Sequence, residues 1–346
     1  MPPSPDAAAV VRPRATVLGA FVEGWRRVIR APALTVGVLA LTLFTALPLA
    51  AALDAQMRAH LGSSLEADTA LAGWDEPWAV EFRTASDGVG RTFSREVLGF
   101  GGTLATVRRV LDAQPLDRSI VAAVAAYILA WVFLMGGVLE RLARGRRMGT
   151  AAFFSACGRY FFRFLRLAPI VAAAYWVLFR VLHPLLFTTL GGRLAPDPAD
   201  GPITVLRGVL YVVFVACLAA VVLTVDFVIV RLVVEDRRSA LGAIAAALRF
   251  IRRRVWRIAG LAVLNAVAAL IVVRLWLQVA PGASAANWLV LGLGQLYILA
   301  RLWARLAFMA SEVVFFQGEL AHAQYTASGR RLLPDAPAAD AVSPPR

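Results

Sequence analysis

The sequence predicts an all-α integral membrane protein with six transmembrane helices, arranged as three repeats of an amphipathic cytoplasmic helix plus a helical hairpin. Three observations carry that expectation: an excess of apolar residues, six long apolar runs, and arginine clusters that recur between them. Of 346 residues 60% are hydrophobic and the mean hydropathy is +0.69, more apolar surface than the core of a soluble domain requires.

Crossing about 30 Å of hydrocarbon takes a helix of about 20 apolar residues. Runs at 34–53, 119–139, 167–190, 206–230, 258–280 and 288–310 meet that length. The first ends in "LPLAAALDA", whose small residues resemble a signal-peptide cleavage site, but the roughly 30 residues ahead of it are too many for an ordinary n-region. It therefore reads as a span. The connecting segments divide by charge. Residues 1–33 carry five arginines, 140–166 seven and 235–257 seven, with few acids. Residues 191–205 carry one arginine and two aspartates, 281–287 no charge, and 54–118 ten acids against seven arginines. The positive-inside rule then places the arginine-rich segments and both termini in the cytoplasm of a bacterium, with the spans in its inner membrane.

The formal charge of +14 comes wholly from arginine, since the chain contains no lysine. A Walker A loop, a Schiff-base lysine and a lysine general base are thereby excluded. Cys157 and Cys217 form no CxxC pair, so neither a disulfide framework nor a zinc site is indicated. His60, His183 and His322 are scattered, with no His-Glu-x-x-His or Gly-x-Ser-x-Gly signature. The expectation is a protein without catalytic residues, metal or cofactor.

Internal repetition organises the rest. "TVLGAFVEGWRRVIR" (16–30) aligns with "SALGAIAAALRFIRR" (239–253): Thr16 and Ser239 are candidate N-caps, and Arg26 and Arg30 match Arg249 and Arg253. Leu18, Phe21, Trp25 and Val28 match Leu241, Ile244, Leu248 and Ile251, one face of a helix. A looser copy, "TAAFFSACGRYFFRFLR" (150–166), carries Arg159 and Arg163. The units are 1–139 (amphipathic helix 15–31), 140–234 (helix 148–166) and 235–325 (helix 239–257), followed by a proline- and alanine-rich tail, 326–346, read as disordered. With arginines on one side and bulky apolar groups on the other, such a helix suits the headgroup plane. Arg26, Arg30, Arg159, Arg163, Arg249, Arg252 and Arg253 are then expected to contact anionic lipid, at about 1 kcal/mol each. Packing of the apolar face onto the bundle is the alternative. Nucleic acid would need the same charges but gains nothing from flanking spans.

Segment 54–118 reads as a helical extension of the first span, a turn at "WDEPW" (74–78), and a flexible loop at Gly99 to Gly102. No strand precedes those glycines, which argues against a phosphate loop. Trp74, Trp78, Phe82, Phe93 and Phe100 are expected to cap the outer end of the bundle.

Ionisable groups inside spans are costly and mark function by default. Arg301, Arg305 and, beyond the run, Glu312 form a stripe on one side of the sixth helix. Asp226, placed level with Arg305, is expected to pair with Arg305 or Arg301. Arg180 and Arg274 have no carboxylate at their depth and are candidates for a substrate path.

At "GGVLERLARGRRMGTAAFFSACGRYFFRFLRL" (136–167) and "ELAHAQYTA" (319–327) the chain resembles a group of bacterial multi-pass membrane proteins of unknown function. Its plan is similar to the membrane domain accompanying glycerophosphodiester phosphodiesterases, in architecture only, because no phosphodiesterase catalytic domain is present. The favoured role is non-enzymatic: organising anionic lipid or a partner protein at the cytoplasmic leaflet. The alternative is a transporter or flippase-like protein for an anionic or lipid substrate.

Overall fold

The computed structural model describes residues 16–63, 75–93, 118–190, 201–279 and 287–320, which are almost wholly helical, with no strand among them. In chain order the helices are α1 (Val17–Ile29), α2 (Pro32–Leu61), α3 (Glu76–Ala85), α4 (Arg118–Arg144), α5 (Thr150–Val177), α6 (Gly201–Val234), α7 (Ala240–Arg253), α8 (Val255–Val279) and α9 (Asn287–Glu319). The tail 326–346, the Gly99 to Gly102 loop and His322 lie outside the described residues. Five stretches are long and apolar enough to cross a membrane: Pro32–Leu61, Val121–Arg144, Thr150–Leu190, Val205–Val234 and Val255–Val279. Their outward faces carry large apolar side chains such as Phe44, Val212 and Leu270, each more than half exposed, a surface suited to lipid and not to water. This is the build of a multi-pass membrane protein. The sixth predicted run falls within α9, which carries Arg301 and Arg305 and is not among these five stretches. Helix α9 packs against α1, α2, α4, α6 and α8, and so forms the central strut.

All six long helices bring one end to a common polar layer. Tyr160 near the start of α5 donates to Glu140 Oε2 on α4 (3.0 Å) and to Val233 O on α6 (3.4 Å). Arg144 Nη2 lies 2.5 Å from Glu140 Oε1. Arg27 of α1 donates from Nη1 to Leu142 O (2.8 Å) and to Gln317 Oε1 on α9 (3.0 Å), while Gln317 Nε2 donates to Ala143 O (3.0 Å). Glu319 at the end of α9 takes Arg254 Nε at 2.5 Å and also Arg257, at the start of α8. The long helices therefore alternate in direction, with the arginine-rich connectors 30–32, 144–150 and 234–240 at one end. Tyr160→Phe is expected to lower stability by about 1–2 kcal/mol, read as a thermal midpoint in detergent, because it removes a buried donor that serves two helices.

The short helices begin where the sequence places them. Thr16 Oγ1 accepts from Gly19 N (3.0 Å) and Ser239 Oγ from Gly242 N (3.2 Å). Their burial differs from expectation. In α1 the buried residues are Ala20, Gly24 and Val28, in α7 Ala243, Ala246, Ala247 and Phe250, while Leu18, Ile29, Leu241 and Leu248 are exposed. The small-residue stripe makes the closest approach to the bundle, because glycine and alanine let helix backbones come near, while Phe21, Trp25, Val28, Ile244 and Ile251 of the predicted apolar face pack beside it. A Cβ on Gly24 would stand 2.5 Å from Ser311 N of α9. Helix α1 is thus a wedge set into the bundle end, not a helix lying free in the headgroup plane.

The third amphipathic segment is corrected as well. Residues 148–166 do not form a separate helix; α5 runs unbroken from Thr150 to Val177 and continues through π-helical turns to Leu190. Elsewhere the break has a cause: Pro32 opens α2, and Arg254 leaves helical geometry at φ −136°. No proline lies between 148 and 166, and Pro169 sits inside α5. Helices α2, α4, α6 and α9 also extend past their predicted runs.

At the far end, the "WDEPW" stretch is no turn. Asp75 caps α3, its Oδ1 accepting from Trp78 N at 3.1 Å, with Pro77 in the first helical turn. Trp78, Phe82 and Phe93 pack on Leu53, Met57 and Leu61 of α2, with Trp78 and Phe82 stacked at 5.3 Å. Thirty residues of α2 rise about 45 Å, so this aromatic nest stands beyond about 30 Å of hydrocarbon. Asp75→Ala is expected to cost about 1 kcal/mol in local opening, seen as faster hydrogen exchange across 76–85 with the global thermal midpoint unmoved.

Candidate functional site

Five of the long helices each turn one stripe toward a shared cavity of about 560 Å³. Trp131, Met135 and Leu139 come from α4, Tyr175 from α5, Val222, Asp226, Ile229 and Val230 from α6. Helix α8 adds Asn265, Ala269, Val272 and Val273, and α9 adds Arg301, Ala304, Arg305, Phe308, Met309 and Glu312. The spacing 301, 305, 308, 312 keeps the α9 residues on one face. The cavity wall thus carries two carboxyls, an amide and a phenol, with Glu312 and Asn265 buried, and two guanidinium groups, Arg301 and Arg305, that remain exposed.

Counting from the polar layer at 1.5 Å per residue gives their depths. Glu312 lies seven residues before Glu319, and Asp226 eight before Val234, so each stands about 10–12 Å inside. Asn265, ten residues into α8, is about 15 Å inside; Arg305 and Arg301 are at about 21 and 27 Å. Asp226 is therefore level with Glu312, not with Arg305, and the two carboxyls lie within each other's field.

No direct ion pair joins these groups among the described residues. Arg305 is the cation whose field reaches Asp226, yet its guanidinium lies over the Trp131 ring, 4.3 Å from the centroid. Arg301 lies over Tyr297 at 5.5 Å. Glu312 is 1% exposed, and its Oε1 has no hydrogen-bond partner. Asn265 spends its amide on Leu261 O (2.9 Å) and Ser311 Oγ (3.0 Å), which leaves its carbonyl side toward the cavity polar. A magnitude shows what is left over. Attraction between charges about 10 Å apart at an effective dielectric of about 20 is about 2 kcal/mol. Desolvating one carboxylate costs several kcal/mol. The arginines above do not offset the burial of Glu312.

Of the residues singled out from sequence, Asp226, Arg301 and Arg305 come together here, though without the expected ion pair: the helix depths separate them and Trp131 holds Arg305. Arg180, in the π-helical part of the α5 segment, and Arg274 on α8 are both exposed and do not line the cavity. Arg26, Arg30, Arg159, Arg249, Arg252 and Arg253 are exposed at the polar end. Arg163 is a correction, since it pairs with Asp236 (Nη1–Oδ1, 2.5 Å) instead of facing outward. His183 packs on Phe187 and Phe214, and His60 Nε2 lies 3.8 Å from Glu81 Oε1. Glu312 and Asn265 were missed as site residues. The signals were present: Glu312 continues the Arg301–Arg305 stripe at helical spacing, and Asn265 is an amide inside an apolar run.

No family model matches this chain, and no curated protein or solved structure resembles it.

Proposed function

We propose that this protein is a non-enzymatic carrier of the bacterial inner membrane, of transporter or flippase type, which binds an anionic or lipid substrate in the central cavity. The observation that carries this reading is the buried, unpartnered Glu312 carboxyl beside Asp226, in one cavity with Arg301 and Arg305. A purely structural bundle gains nothing from the buried Glu312 carboxyl, since apolar packing of the same volume is as stable or more stable. Arg301 and Arg305 attract the substrate's negative charge, and the carboxyl pair takes up a proton or a cationic group of the same ligand. Crossings in alternate directions, both termini on the arginine side, and α9 as a sixth span form part of the proposal. So does descent from a repeated unit, supported by the matching caps at Thr16 and Ser239, and with it kinship to the multi-pass group named above.

Organising anionic lipid or a partner at the inner leaflet is kept as a second reading, because Arg26, Arg159, Arg249, Arg252 and Arg253 remain exposed together at one end. The two readings separate on purified protein. Small molecules and lipids released from wild type are compared by mass spectrometry with those from Arg305→Gln and Glu312→Gln. The carrier reading expects one polar or anionic species, lost in both variants while the fold is kept. An identical set in all three contradicts it.

A further inference from the structure

A second cavity, of about 610 Å³, lies on the flank of the bundle between α2, α4 and the first turn of α5. Its long part is apolar, formed by Leu34, Gly37 and Val38 of α2, Leu134 and Val138 of α4, and Phe153 and Phe154 of α5. Its other end, at the polar layer, holds Arg30, Arg141, Arg147 and Thr150.

Charge and helix geometry at that end point to an anion. Arg141 is 8% exposed and has no carboxylate within ion-pair distance among the described residues, where its Nη2 donates to Arg30 O at 3.2 Å. The exposed Arg147 adds a second positive charge beside it, with no acid paired to it among the described residues. A buried guanidinium next to a like charge is costly unless an anion joins them. The N-terminus of α5 opens into the same end, and its N-cap, Gly149, offers no side chain to the free backbone N–H groups. Such a terminus favours phosphate. The apolar channel running from it toward the bundle middle has the shape of an acyl-chain seat, and basic pockets between spans on the cytoplasmic side are where anionic headgroups bind.

We propose that this cleft seats one anionic phospholipid of the leaflet at the arginine end, its phosphate between Arg141, Arg147 and the α5 N-terminus, and an acyl chain along Gly37 and Val38. The proposal rests on the membrane orientation given above but not on the carrier activity, since none of its residues lines the central cavity.

The glycine at 37 makes a clean test, because it lines the cleft and a Cβ added there meets nothing within 4 Å. The full chain is placed in nanodiscs of phosphatidylcholine alone or of an equimolar mixture with phosphatidylglycerol, and bound lipid and thermal midpoint are measured. Wild type is expected to retain phosphatidylglycerol selectively at one per chain, with a higher midpoint in the mixture. Arg147→Gln weakens retention about fivefold, the loss of one headgroup arginine. Gly37→Phe abolishes retention while keeping the wild-type midpoint in phosphatidylcholine. Arg305→Gln, in the central cavity, leaves retention unchanged, so failure of the carrier reading and of this one are told apart. The proposal is overturned if wild type shows no preference for phosphatidylglycerol, if Gly37→Phe and Arg147→Gln retain it as wild type does, or if inorganic phosphate alone gives the midpoint rise. Loss of retention in Arg305→Gln but not in Gly37→Phe moves the lipid to the other cavity and equally overturns it.

Discussion

Gly24→Leu is expected to prevent recovery of monodisperse protein, and Gly24→Ala to lower stability by about 1–3 kcal/mol or more. The added Cβ stands 2.5 Å from Ser311 N, 2.6 Å from Ser311 Cα and 2.8 Å from Ser311 Cβ, and two of these are backbone atoms that no rotamer change can move aside. Helix α1 must then lift off α9. With it go the Arg27 bonds to Leu142 O and Gln317, which tie α1, α4 and α9 together at the polar layer. Gly158→Ala is the control: its Cβ meets nothing within 4 Å, and replacing a helical glycine there is neutral or stabilising by up to about 1 kcal/mol. Size-exclusion profiles and thermal midpoints in the same detergent distinguish the two. If α1 lay free on the lipid surface, both substitutions would be harmless.

The second large effect is expected at Glu140. Its carboxylate is 1% exposed and accepts from Tyr160 and Arg144, so Glu140→Ala removes the carboxylate partner of Arg144 and leaves the buried Tyr160 hydroxyl only its 3.4 Å contact to Val233 O. Breaking a buried pair by removing one partner costs about 3–5 kcal/mol; Arg144 keeps a fifth of its side chain exposed, which places the loss near the lower figure. Combining Glu140→Ala with Arg144→Leu is expected to cost less than the sum of the two single changes, since each alone already breaks the pair. Strict additivity in that cycle would show that Glu140 acts through something other than this pair.

How far the sequence reaches depends on which physical signal each feature leaves in it. Long apolar runs and arginine bias mark helices by length and charge alone, so all six long helices were legible. Thr16 and Ser239 announced their helices because capping is local chemistry. The face that a helix buries is a tertiary property: Leu18 and Leu241 look like core residues by hydrophobicity, yet Ala20, Gly24, Ala243 and Ala247 are buried because backbone approach, not apolar area, decides contact within a membrane bundle. The unbroken α5 was hidden for a related reason. A repeat argues for a break, which Pro32 enforces after α1 and Arg254 makes after α7, but no such break stands at the matching place in α5. At the site, residue type pointed to Asp226, Arg301 and Arg305, but depth along converging helices decided that Asp226 faces Glu312 and that Arg305 covers Trp131.

One measurement bears most directly on the claim that polar groups inside the bundle line a cavity reached from water. With Cys157 and Cys217 replaced, Arg305→Cys, Glu312→Cys and the lipid-facing Val263→Cys are exposed to a charged, membrane-impermeant thiol reagent in sealed vesicles of both orientations. Positions 305 and 312 are expected to react, each faster than 263. Reaction at 305 and 312 no faster than at 263, from either side, would contradict the account.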